Sequence, residues 1–347
     1  MRNPTLHDVA RAAGVSYSTA DRVLNQRGGV AEKSILRVQH AIQELGYRRD
    51  IHAANLSRRR SYRFRFYLPQ GDHGFFSVLR DAAQDQGRAR ALDRINVDVH
   101  DVPALDADAL AIELASIAEG DCDCVAIVGA DSDRLGAAVA RLAGLGIAVV
   151  TLVSDVESHA RAAYIGINNI AAGRTAGRLI GLAHTARYGR ILPILGKLGV
   201  RDHRERLRGV SDVLAGVGGI SLLPALEVMD RPDRMLEHVG KVLTMDPDIT
   251  GIYSIGAGNR ALIRILGEMG GARPFVVLHE LSPHSRVALE GGLVDAVIDQ
   301  KPAEEIAQAL DAMKAIVDGE VPIQAEITPT IYLKDNLPGP TGDGEHA

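Results

Sequence analysis

What the chain lacks narrows the field first. Only two of its 347 residues are cysteine, Cys122 and Cys124, in the stretch DCDC. Too few further ligands stand beside them for a zinc site. They read as two reduced thiols at the start of a strand. The twelve histidines show no HExxH or comparable spacing, so no metal is expected. No apolar run reaches the ~18 residues that a membrane span needs. The opening residues, MRNPTLHDVARAAG, have no apolar signal-peptide core. These absences lead to the expectation of a cytoplasmic protein without membrane segment or cofactor.

What is present is ample core material. Apolar residues make up 46% of the chain and charged residues 24%, and the length suits two or three globular domains. The net charge of −5 conceals a split. Residues 1–63 hold 12 Lys/Arg against 5 Asp/Glu, and the remainder holds 27 against 39. A basic head on an acidic body suggests that the head alone meets a polyanion.

The head has the pattern of three short helices. Thr5 can cap the first, with Asp8 three residues on completing a capping box. Leu6, Val9, Ala10 and Ala13 share one face of it, and Gly14 ends it. Ser16 is the next capping candidate, and Ala20, Val23 and Leu24 turn inward behind it. A third segment, from about Glu32 to Leu45, puts Ile35, Val38, Ile42 and Leu45 on one stripe. Two short helices around a tight turn match a helix-turn-helix unit. The outward face of its second helix suits a major groove: Tyr17, Ser18 and Arg22 for base edges. Thr5, Ser16, Thr19 and Asn25 would hold phosphates, which fixes register without reading sequence.

These residues carry a resemblance. TLHDVARAAGVSYSTADRVLNQRGGV, followed by VQHAIQELGY, resembles the DNA-binding head of the LacI/GalR family of bacterial transcription regulators. Asp21 stands where many members have Ser, and Ala31 where many have a capping Ser. After Tyr47 the resemblance implies a hinge helix that orders on DNA, with Ala53 and Leu56 in the minor groove and Leu56 as a kinking wedge. Arg49-Asp50 replaces a common Pro-Asn there, and Ala54 a common Arg. Arg58, Arg59, Arg60 and Arg63 suit phosphates and a solvated linker equally.

From Tyr62 on, apolar runs alternate with amphipathic helical stretches, the texture of an α/β domain with parallel sheets. FRFYLP, INVDVHDV, CVAIVG, IAVVTLV, AYIGI, RILPILG, ISLLPALEV, GIYSIG, FVVLHE and DAVIDQ read as strands. This part resembles the periplasmic sugar-binding-protein fold. The expected organisation is a head at 1–49, a hinge and linker at 50–61, a two-lobed body at 62–335 and a tail at 336–347. Lobe one is expected at about 62–165 and 294–320, and lobe two at about 166–293 and 321–335.

Ligands of such folds bind beyond the strand ends. His73, Phe75 and Phe76 follow the first strand, and an aromatic face can stack on a sugar ring. Asp131, Arg161, Asn259, Glu280 and Gln300 end or follow later strands. Arg204, in RDHRERLRG, matches the family's effector-binding arginine, whose fork grips paired oxygens.

A rival motif stands among these. Gly256-Ala257-Gly258-Asn259-Arg260-Ala261 fits GxGxxA, with Glu280 at 24 residues beyond, as in a dinucleotide site. It lies deep in the chain and lacks an acid–base constellation, so neither an enzyme nor a nicotinamide cofactor is expected. A sugar-binding protein serving a transporter is the other rival, against which the basic head and the missing export signal argue. The resemblance implies a homodimeric repressor that binds double-stranded operator DNA and is released by a small sugar, polyol or sugar acid.

Overall fold

The computed structural model describes residues 4–24, 28–46, 60–70, 74–185, 188–256, 258–323 and 325–339. Asn25, Ala53, Leu56 and His73, named above, lie outside the described residues, as do 50–59 of the linker and 340–347 of the tail. The chain divides into two compact units, 1–60 and 61–347.

In the first unit three helices pack together: α1 (Leu6–Ala13), α2 (Tyr17–Leu24) and α3 (Glu32–Leu45). The capping box forms as its spacing dictates. The Thr5 hydroxyl accepts from the Asp8 amide, and the Asp8 carboxylate accepts from the Thr5 amide at 2.9 Å. Gly14 ends α1 at φ +58°, a left-handed conformation that glycine adopts without a Cβ clash. Ser16 then opens α2 by accepting from the Thr19 amide at 3.1 Å. Val9, Ala10, Ala13, Ala20, Val38 and Ala41 form the small core. Leu45 is not part of it: the inward face of α3 runs through Val38, Ala41 and Ile42, leaving Leu45 37% exposed.

The second unit contains two sheets. Strands β1 (Tyr62–Pro69), β2 (Ile95–Val102), β3 (Cys124–Ile127), β4 (Ala148–Leu152) and β5 (Ala163–Ile165) pair in parallel in the order β2-β1-β3-β4-β5. Helices α4 (Gly74–Ala89), α5 (Ala107–Ala115) and α6 (Asp133–Gly144) connect them. Past β5 the chain enters α7 (Asn169–Ala183) and a second sheet. Its strands are β6 (Gly189–Leu195), β7 (Ile220–Leu222), β8 (Leu226–Glu227), β9 (Gly251–Ser254), β10 (Phe275–His279), β11 (Ala296–Asp299) and β12 (Thr330–Tyr332). They run β12-β11-β10-β9-β6-β7, with β8 also on β6 and β12 antiparallel to β11. The longer helices that follow α7 are α8 (Arg201–Leu214), α9 (Asn259–Glu268), α10 (Pro283–Glu290) and α11 (Pro302–Asp318), and a further helical stretch runs between β8 and β9.

Three details differ from the sequence reading. ISLLPALEV forms two short strands, β7 and β8, because Pro224 between them has no N–H for the ladder. Strand β12 was not expected. And β11 belongs to the second sheet, on β10, so the return to the first lobe comes at Gln300–Lys301 rather than near 293. The apolar run AVID would satisfy either sheet, and only its pairing decides. Helix α11 does rejoin the first lobe, where the Tyr62 hydroxyl donates to Asp318 at 2.9 Å. Ile167 and Ile327, on two of the crossing segments, form a parallel bridge.

Helices α7 and α8 pack unusually closely. A Cβ on Gly173 would fall 2.0 Å from the Arg206 carbonyl oxygen, and one on Gly209 would fall 2.2 Å from that of Ile170. These two glycines let α8 press onto α7 and hold the Arg206 side chain beside Asn169.

Candidate functional site

The ends of both sheets enclose a cavity of about 380 Å³. At its floor lies Arg206, only 1% exposed. Its Nε donates to Asn169 Oδ1 at 2.8 Å, Nη1 to the Ile255 carbonyl at 2.9 Å and Nη2 to Gln300 Oε1 at 3.1 Å. Three partners from three parts of the fold thus fix one guanidinium. Beside it Glu280 is held at φ +73°, an uncommon conformation for a non-glycine residue and one that clusters at functional sites. Glu280 Oε1 accepts from Gln300 Nε2 at 2.7 Å and stands 3.5 Å from Arg206 Nη1. Burial pushes its carboxyl up to about 8, against the opposing pull of Arg206.

Among the described residues, three buried oxygens at this cavity have no hydrogen-bond partner: Glu280 Oε2, Asp202 Oδ1 and Ser154 Oγ. Buried polar atoms are normally satisfied, so these three are groups that a ligand's hydroxyls can fill. His279, just behind, shares a 2.8 Å hydrogen bond with the Tyr253 hydroxyl, and burial holds its pKa well below the usual value, leaving it neutral.

Among the residues expected from sequence, Phe75, Phe76, Asn259, Glu280 and Gln300 line the cavity. Asn259 is committed to scaffolding: its Nδ2 donates to the His279 carbonyl at 2.9 Å and its Oδ1 accepts from Ser254 at 2.6 Å. The other three described ones, Asp131, Arg161 and Arg204, are not in the lining. Arg204 is turned outward and pairs with Asp131 at 2.5 Å, and Arg161 pairs with Asp155 at 2.7 Å. Two positions decide the matter on α8. Asp202, Arg206, Gly209, Val210 and Val213 share its buried face, and Arg204 is off it. The spacing carries part of the signal: Arg206 stands four residues before Val210, as Asp202 stands four before Arg206, which puts the three on one face and leaves open which face meets α7. Sequence reasoning missed Arg206, Asp202 and Ser154.

The glycine loop behaves unlike a phosphate cradle. The Gly258 amide at the start of α9 donates to Asp230 Oδ1 at 3.0 Å. A carboxylate therefore occupies the amide that a pyrophosphate would need, and repels it.

On the first unit, Tyr17 is 47% exposed and its ring lies 4.4 Å from that of His7. Ser18 and Arg22 are exposed on the same helix, and Arg22 Nε donates to the Gly28 carbonyl at 3.2 Å. Thr19 Oγ1 lies 2.8 Å from the capping Ser16 Oγ. Thr5, Ser16 and Thr19 thus hold helix ends together. Among the described residues no helix is long and apolar enough to cross a membrane.

Comparison with known proteins matches both units. Residues 5–50 match the model of bacterial regulatory proteins of the lacI family, and residues 64–320 that of the periplasmic binding protein domain. The HTH-type transcriptional regulator DegA of Bacillus subtilis is 32% identical over 82 residues, which is 24% of this chain and 24% of DegA. The matched stretch thus spans about a quarter of that regulator's length. The ribose import binding protein RbsB of Salmonella typhimurium is 25% identical over 256 residues, covering 71% of this chain and 81% of RbsB. Among solved structures, a solute-binding protein of Burkholderia graminis in complex with D-arabinose superposes with a TM-score of 0.73 at 23% identity. It covers 80% of this chain and 96% of that one. These matches point to regulator and binding domains rather than to enzymes.

Proposed function

Because this chain belongs to the family of periplasmic binding protein domains and carries a lacI-type head, we propose that it is a sequence-specific DNA-binding transcriptional regulator, a repressor whose hold on its operator is set by a small polyhydroxylated effector. The observation that carries the reading is the pairing, in one chain, of a helix-turn-helix head exposing Tyr17, Ser18 and Arg22 with a cavity holding unpartnered buried acceptors. Arg22 pairs with guanine, and Tyr17 and Ser18 meet neighbouring bases. The hinge residues Ala53 and Leu56 enter the minor groove. Two half-sites call for a homodimer, and the work is cytoplasmic and non-catalytic.

In the cavity, Arg206 and Gln300 position Glu280, whose free oxygen, with those of Asp202 and Ser154, accepts the effector's hydroxyls. Phe75 and Phe76 cover the opposite side. Arg204 and Asp131, paired between the lobes, enter the effector's shell only if that pair opens. Effector binding favours one lobe arrangement, and operator affinity follows it as a population shift.

The test is enrichment of random duplexes by the full-length protein at moderate salt. A recovered palindromic site, relaxed in sequence by Arg22→Ala and weakened by Leu56→Ala, supports the reading. No duplex preferred over random competitor, with and without sugars, sinks it.

A further inference from the structure

The two walls of the cavity differ in chemistry. From the first lobe come Phe75, Phe76, Val102, Leu105, Leu110 and Val153. Among the described residues that wall adds two polar side chains, Asp106 and Ser154, and Asp106 is engaged in accepting from the Ala109 amide at 2.9 Å. From the second lobe come Asp202, His203, Arg206, Glu280, Ser282 and Gln300. Two of the three unpartnered acceptors, Asp202 Oδ1 and Glu280 Oε2, are on this second wall.

A free monosaccharide carries hydroxyls around its whole rim. Seated on the second lobe, it would press the remaining hydroxyls onto a wall whose described residues offer one unengaged polar side chain, Ser154, and a hydroxyl buried without a partner is penalised. An apolar group there is favoured by the same wall. Phe75 and Phe76 meet edge to face at 5.2 Å and 67°, an aromatic corner suited to a flat substituent. The cavity volume, about 380 Å³, falls within the roughly 300–1,000 Å³ of pockets that take drug-sized ligands.

We propose that the effector is a glycoside: a polyhydroxylated ring bonded by the second lobe and bearing a flat apolar substituent that lies on the first. This deepens, and rests on, the effector reading above. An aryl glycoside and a nucleoside share this chemistry, and the experiment separates them.

Full-length protein is titrated calorimetrically with D-ribose, D-arabinose, D-glucose and D-galactose, with the phenyl glycoside of each, and with uridine and adenosine. At least one ring should bind about tenfold or more tightly with its substituent than without. Tighter binding of a phenyl glycoside identifies an aryl source, and tighter binding of a nucleoside a base. Leu105→Asn should shrink the advantage of the substituted form over its parent sugar, read as the ratio of the two affinities in the same variant. Leu105 sits at φ +58°, a conformation that asparagine adopts readily, so the fold should persist. Val102→Thr, which keeps the side-chain shape, is the second variant. A parent sugar that binds as tightly as its substituted form overturns the proposal and leaves the sugar reading standing. Failure of every probe overturns both.

Discussion

Arg204 of the second lobe is ion-paired with Asp131 of the first, Nη2 to Oδ2 at 2.5 Å, outside the cavity lining. The side chains are 45% and 26% exposed, and a pair so hydrated contributes no more than about 1 kcal/mol. Arg204→Ala should therefore lower effector affinity by about fivefold at most. A hundredfold loss by calorimetry would mean that Arg204 grips the effector directly, as its place in the sequence suggested.

Arg206 behaves differently because it is buried. Arg206→Met removes the cation that faces Glu280 and Asp202 and strands Gln300, Asn169 and the Ile255 carbonyl. Breaking a buried pair from one side costs about 3–5 kcal/mol. Urea denaturation should show a loss of that order, against almost none for Arg204→Ala.

The stability of the body should fall as pH rises. Burial raises the carboxyl of Glu280 from 4.5 to about 8, raises Glu305 well above its usual value and raises Asp299. In this window the folded chain holds more protons than the unfolded one, so raising pH favours unfolding. The stability due to Glu280 is complete below about pH 4.5 and is lost as pH rises through about 8. Glu280→Gln should flatten the thermal-melting profile across this range, and Glu305→Gln, whose carboxylate oxygens lack partners, should flatten it further. An unchanged slope in both variants would show that these carboxyls are hydrated.

Gly209→Ala places a methyl group 2.2 Å from the Ile170 carbonyl oxygen. Helices α7 and α8 must separate to admit it, and overpacking of this kind costs about 1–3 kcal/mol or more. Because α8 carries Arg206, effector affinity should fall together with the melting temperature.

Thr5→Ala removes the hydroxyl half of the box that caps α1 and leaves the backbone amide of residue 5 on the Asp8 carboxylate, with an expected loss of about 1 kcal/mol from the head. A head-specific spectroscopic melt should register it while the body melts unchanged.

The sequence made the architecture readable because its strands are apolar runs between helical stretches, and parallel βα winding leaves few alternatives. The capping box at Thr5 and the caps at Gly14 and Ser16 were legible for the same local reason. The assignment of β11 to a sheet was not, since AVID is equally apolar in either lobe. Nor was the choice between Arg204 and Arg206, two residues apart on one helix. It turns on the phase at which α8 meets α7, which the close approach at Gly173 and Gly209 fixes. Ser154 carried no signal at all, because one serine after a strand has no pattern to mark it.

The threading of the body has one further outcome. Because α11 is supplied to the first lobe only after the chain has built most of the second, and β12 is then handed back, neither half is a continuous stretch that could be cut out and made alone. During synthesis the first lobe must wait, its face against α11 uncovered, until Pro302–Asp318 has emerged.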